Sequence, residues 1–119
     1  MNWEEKIKEH LSVGKQLNNP GGGISTISKI DNEKISYIRG KSAITLYYKD
    51  IENVYLEYAG GTCTASDLKL FNPKVFDSKN GGHSCNCTFI FMVFEELQLL
   101  QGSINGLGVR GNPYYIHIK

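Results

Sequence analysis

Nothing in this chain is long and apolar enough to lie across a bilayer. Its longest purely apolar run, Phe89 to Phe94, falls far short of the about 18 residues that a spanning helix needs. A surplus of one charge is missing as well: thirteen Lys and Arg against twelve Asp and Glu leave a net charge of +1 at pH 7. That excludes the footprint of a strongly basic, non-specific DNA binder and leaves a local basic patch open. Cysteine is scarce and odd in number, with Cys63, Cys85 and Cys87. Cys85 and Cys87 sit too close together for an ordinary bridge, so free thiols in a reducing compartment are the simplest reading. The N-terminal Met1-Asn2-Trp3-Glu4-Glu5 is acidic and has no signal-peptide core, which predicts a cytoplasmic protein.

What is present suits one domain over residues 1–119, with an N-terminal helix in 1–17 and a core in 24–118. Hydrophobic residues make up 40% and charged residues 21%, an ordinary globular balance that fills a core without disulfides. Trp3, Ile7 and Leu11 recur every four residues and predict one apolar stripe on the first helix, capped by Asn2 with Glu5. Asn18-Asn19-Pro20-Gly21-Gly22-Gly23 breaks the chain. Three β-rich runs follow with short connections between them, Thr26 to Ile30, Ile35 to Arg39 and Ala43 to Tyr48, and predict a three-stranded meander over 24–48. Asp50 is read as the cap of a second helix carrying Ile51, Val54, Tyr55 and Tyr58, and Ser66-Asp67 as the cap of a short helical turn. Residues 72–82 read as an irregular polar loop. Ser84 is then expected to cap a helix over Cys85 to Leu97, apolar nearly all round and therefore central. Tyr114 to Ile118 closes the chain as a strand. The expected class is α+β: a mainly antiparallel sheet, meander plus C-terminal strand, packed on a central buried helix, with an amphipathic helix in front.

The stretch richest in chemistry is Asn80-Gly81-Gly82-His83-Ser84-Cys85-Asn86-Cys87-Thr88. A glycine pair leading into a helix start can turn free N–H groups and the positive end of the helix dipole toward an anion. On that reading Gly82, His83, Ser84, Asn86 and Thr88 contact a phosphate. The plainer reading makes Ser84 a cap and the glycines a tight turn. The segment lacks the Gly-Lys-Ser/Thr ending of a Walker loop. Arg39, Lys41 and Ser42 crowd the second hairpin, and Arg110 lies between glycines in Gly108-Val109-Arg110-Gly111. Such an arginine can approach a phosphate with both arms of its fork, and Arg110 is expected to outrank Arg39, which is placed at a solvated tip. Read singly, each of these cations is a solvated surface charge. Cys85 near His83 is a candidate nucleophile–base pair without an orienting acid. Cys63, His83, Cys85 and Cys87 have the right chemistry for zinc but not the usual Cys-x-x-Cys spacing, and packing is the simpler role for the cysteines. Tyr47-Tyr48 and Tyr114-Tyr115 each offer an outward ring that can stack a base, or simply half-bury on a sheet.

Several stretches together, Asn19-Pro20-Gly21-Gly22-Gly23, Tyr37-Ile38-Arg39-Gly40-Lys41-Ser42, Phe71-Asn72-Pro73-Lys74-Val75-Phe76-Asp77, Gly82-His83-Ser84-Cys85-Asn86-Cys87-Thr88-Phe89 and Gly108-Val109-Arg110-Gly111-Asn112-Pro113, resemble a small bacterial and phage domain associated with restriction-type and phage-defence proteins. The likeness runs from about residue 19 to 118 and leaves the first helix as an addition. It carries no residue roles, and it implies a nucleic-acid or nucleotide setting. The expected function is therefore a non-enzymatic binding domain for a phosphate-bearing ligand, nucleic acid or nucleotide, with no cofactor, no metal and no membrane partner. Its contacts are expected from Gly82, His83, Ser84, Asn86, Thr88, Arg110, Arg39, Lys41 and Ser42. The competing expectations are an enzyme using Cys85 and His83, and a domain that inhibits a protein partner.

Overall fold

The computed structural model describes residues 1–119, and its architecture follows the two periodicities in the sequence. Where apolar side chains alternate, β2 (Ile24–Ile30), β3 (Lys34–Arg39) and β4 (Ser42–Tyr47) form the expected meander. A short strand, β1 (Gln16–Asn18), extends it to an antiparallel sheet of order β1-β2-β3-β4. Asp31 shapes the β2–β3 turn, its Oδ1 accepting from the N–H groups of Glu33 and Lys34 at 2.9 Å each. One face of the sheet buries Leu17, Ile27, Ile35, Tyr37, Ile44 and Leu46.

Against that face lies α5 (Cys85–Glu96), in which every residue from Phe89 to Phe94 is buried. Its mean hydrophobic character explains why: with no polar face to offer water, the helix must be covered all round. Tyr37 stacks on Phe89 with ring centroids 3.6 Å apart and planes 9° from parallel. The other flanks are covered by α3 (Ala65–Phe71) and α4 (Pro73–Phe76). In front, α1 (Trp3–His10) is capped by Asn2, whose Oδ1 accepts from the Glu5 N–H at 3.1 Å. Trp3 sits edge-on to Tyr55 of α2 (Tyr48–Tyr58), 5.5 Å between centroids. The C-terminal strand β6 (Tyr115–His117) is antiparallel but bonds to β5 (Thr62–Thr64) in a second, two-stranded sheet, with Cys63 opposite Ile116. A single cluster of 26 buried apolar side chains runs from Trp3 to Ile118. The class is α+β with an N-terminal helix. No helix is long and apolar enough to cross a membrane.

The helix starts depart from expectation in an instructive way. The first helix, expected within residues 1–17, spans Trp3–His10, and Gln16–Asn18 form a fourth strand. Asp50 does not cap α2: the helix begins two residues earlier, straight out of β4, and Asp50 falls in its first turn. Ser66 does not cap α3 either. Thr64 does, through a reciprocal box in which its Oγ1 accepts from Asp67 N–H and Asp67 Oδ2 accepts from Thr64 N–H, 2.9 Å each. Within 72–82, expected to be irregular, lie α4, with Pro73 at its first turn, and a 3-10 turn over Ser78–Asn80. Ser84 is itself helical (φ −61°, ψ −24°) and makes no cap bond. Its hydroxyl accepts from Ser78 Oγ at 3.0 Å instead.

Candidate anion-binding cleft

Two hollows open side by side where β2, β3, α5 and the late glycine loop meet. The first, of about 460 Å³, is walled by the loop Asn19 to Ile24, by Arg39 and Gly40, and by Ser84, Cys85 and Thr88 of the α5 start. The second, of about 370 Å³, is walled by Ser66 and Lys69 of α3 and by Gly108, Val109 and Arg110. Ser84, Thr88 and Tyr114 line both, so they form the shared wall.

Arg39 is the centre of the first hollow. Its place is fixed by strand register, opposite Ser25 on β2 and Ser42 on β4. Its Nε donates to Ser25 Oγ at 2.9 Å and its Nη1 to Thr88 Oγ1 at 2.8 Å. The fully buried Ser25 passes the chain on, donating to Asn19 Oδ1 at 2.6 Å. The guanidinium also lies over the Tyr37 ring, 5.7 Å from its centroid. Its third nitrogen, Nη2, is buried and has no hydrogen-bond partner. Arg39 forms no ion pair: the salt bridges of the molecule, Lys8–Glu4, Lys15–Glu96 and Lys29–Asp31, use neither it nor Lys69 nor Arg110. A buried charged donor without an acceptor is costly, about 1–3 kcal/mol or more.

The lining is selective in charge. Neither hollow contains an Asp or a Glu, while Arg39 lines one and Lys69 and Arg110 the other. No histidine lines them either. The wall between the hollows is held by missing side chains. A Cβ on Gly108, whose φ is +70°, would lie 2.3 Å from Tyr114 Cε2, and one on Gly21 would lie 3.1 Å from the Tyr114 hydroxyl.

Of the residues expected from sequence, Arg39, Ser84, Thr88 and Arg110 line the cleft. The two arginines exchange rank: Arg39 is half-buried and bonded, whereas Arg110 is exposed. The other five take different places. Lys41 and Ser42 are exposed beside Gly40 and line neither hollow. His83 is exposed, and its N–H donates to Val75 O at 3.0 Å. Asn86 is buried and committed to the core: its Oδ1 accepts from Tyr37 OH at 2.8 Å and its Nδ2 donates to Val75 O at 3.1 Å. Gly82 packs so close to α4 that a Cβ would lie 2.7 Å from Pro73 O. The α5 start is also not an open cradle of amides. The N–H groups of Gly82, His83, Asn86 and Cys87 all donate to backbone carbonyls, and that of Ser84 to Ser78 Oγ. Sequence reading missed the role of Asn19 to Gly23, Ser25 and Lys69, the glycine triplet having been taken simply as a break, while Tyr114, one of the tyrosines read as able to stack a base, lines both hollows.

The thiols divide by burial. Cys63 and Cys87 are buried, and desolvation pushes both up, Cys87 to about 11; Cys85 is half-buried at the first hollow. No cluster of three or more His, Cys, Asp or Glu side chains forms, so Cys63, His83, Cys85 and Cys87 do not assemble as a zinc site. No protein-family model, no curated protein and no solved structure matches the chain.

Proposed function

We propose that this chain is a binding domain for a small phosphate-bearing ligand of the nucleotide class, held in the cleft around Arg39. One observation carries the reading: Arg39, held by two hydroxyls and without a carboxylate partner, lines a hollow whose walls carry no acid. A phosphate oxygen supplies the acceptor the chain does not, and arginine is the side chain suited to it. Hollows of about 460 and 370 Å³ fall within the roughly 300–1,000 Å³ of small-ligand sites. The near-neutral net charge favours a small ligand over duplex DNA, which calls for a basic stripe. The resemblance to restriction and phage-defence domains supports a setting in defence or counter-defence.

Calorimetric titration of the protein with nucleoside mono- and diphosphates tests this. Arg39→Met removes the charge-assisted contact at similar length, and is expected to weaken binding by about 1.5–3 kcal/mol, roughly ten- to a hundredfold. Circular dichroism of the variant checks that the fold persists. Equal affinity in parent and variant, or no affinity in the parent for any nucleotide, overturns the reading.

A further inference from the structure

The geometry points to a ligand with two phosphate groups separated by a nucleoside, one phosphate on each side of the Tyr114 wall. The ligand class is then a dinucleotide. This rests on the proposed function and narrows it.

The two hollows each carry their own cation. Arg39 is tied to Ser25 and Thr88 and belongs to the first; Lys69 and Arg110 belong to the second. This separation is specific to the cleft, because each of the three remaining hollows on the molecule is lined by at least one glutamate: Glu4 and Glu52, Glu33, or Glu95 and Glu96. Two neighbouring cationic hollows with no acid between them suit two anionic groups better than one. The wall decides the spacing. Tyr114 lines both hollows and packs closely on Gly108, where a Cβ would lie 2.3 Å from its Cε2, so it stands between the cations as a half-buried aromatic partition. Adjacent phosphates, as in a nucleoside diphosphate, fall together on one side of such a partition. Phosphates joined through a nucleoside can straddle it, with the base laid against the tyrosine ring. The loop that brings Arg110 is exposed, which lets this second cation adjust to the far phosphate, while the near one meets a fixed guanidinium. The other hollows each carry a glutamate, so acid-free ground for phosphate is confined to this pair.

The test is calorimetric titration of the full chain at one salt concentration with inorganic phosphate, adenosine and guanosine 5′-monophosphates, the matching 5′-phosphorylated linear dinucleotides, and ten-nucleotide oligomers of the same bases. The expected result is at least tenfold tighter binding of one dinucleotide than of its mononucleotide, with the oligomer no tighter than the dinucleotide. Arg110→Ala should collapse the dinucleotide-to-mononucleotide ratio toward one, whereas Arg39→Met should weaken both ligands. A mononucleotide that binds as tightly as its dinucleotide overturns the two-phosphate inference and leaves the proposed function standing. An oligomer more than tenfold tighter than the dinucleotide overturns it in favour of single-stranded nucleic acid. If none of the probes binds, the proposed function falls and the inference with it.

Discussion

Asp50 lies in the first turn of α2 with 8% of its surface exposed, and its one side-chain partner is Asn72, whose Nδ2 lies 3.5 Å from Oδ1. Burial raises its carboxyl pKa above the ordinary value, and Lys49 and the Asn72 bond only partly oppose this. Desolvation is the largest effect of the three. The sign of the pH dependence follows. An acid whose folded pKa is raised burdens the folded state when ionised, so the burden is present above the folded pKa and absent below the unfolded one, about 3.9. Asp50→Asn is therefore expected to stabilise the protein at pH 7, with the gain shrinking to nothing as the pH falls to about 3, below that unfolded value. Urea titrations of parent and variant at the two pH values measure it. A variant less stable than the parent at pH 7 would show that the contact to Asn72 outweighs the burial.

At the scale of elements, legibility depended on length. Ile44 and Leu46 alternate along β4, and the apolar stretch Cys85 to Leu97 is long enough to read as a covered helix, so both stood out in the sequence. β1 offers Leu17 between two polar residues, and α4 is a single turn; neither is long enough to show a period. Caps misled because Asp50 and Ser66 are good capping residues that fall two and one positions inside their helices, while Ser84 stands just before α5 but turns its hydroxyl to Ser78. The cleft was legible where a cation stood near glycines, as at Arg39 and Arg110, and illegible where loops distant in sequence meet, as Asn19 to Gly23 do with Tyr114. Gly82 shows the same confusion between ligand and packing. Its close approach is to the backbone of α4, with Pro73 O and Val75 C both 2.7 Å from where a Cβ would stand. Neither atom can rotate away, so Gly82→Ala must separate α4 from the start of α5. The expected cost is about 1–3 kcal/mol, as for other overpacked sites. It should appear in urea denaturation as a lower midpoint at unchanged slope. A midpoint equal to the parent's would mean that the turn has slack to give.

Charge is arranged at the scale of the whole molecule. Thirteen basic and twelve acidic side chains nearly cancel, so nothing in the total of +1 suggests an anion-binding protein. The bias lies in placement: glutamates line the hollows elsewhere, and the cleft has Arg39, Lys69 and Arg110 without an acid. Placement and total make different demands on salt dependence. A protein tracking a nucleic-acid backbone releases a counterion at each of many phosphates, and its affinity falls by about 10³–10⁵ between 50 and 200 mM salt when six to ten are contacted. Here at most three cations can engage phosphate from within the cleft. The logarithm of affinity for a ligand of two phosphates should then fall only shallowly against the logarithm of salt concentration, with a slope no steeper than about −2, and removing Arg39 or Arg110 should flatten it further. Titrations at four salt concentrations between 50 and 200 mM measure the slope. A slope much steeper than this would require cations outside the cleft, on the exposed hairpin at Lys41 or along α3, and would move the bound phosphates out onto the surface.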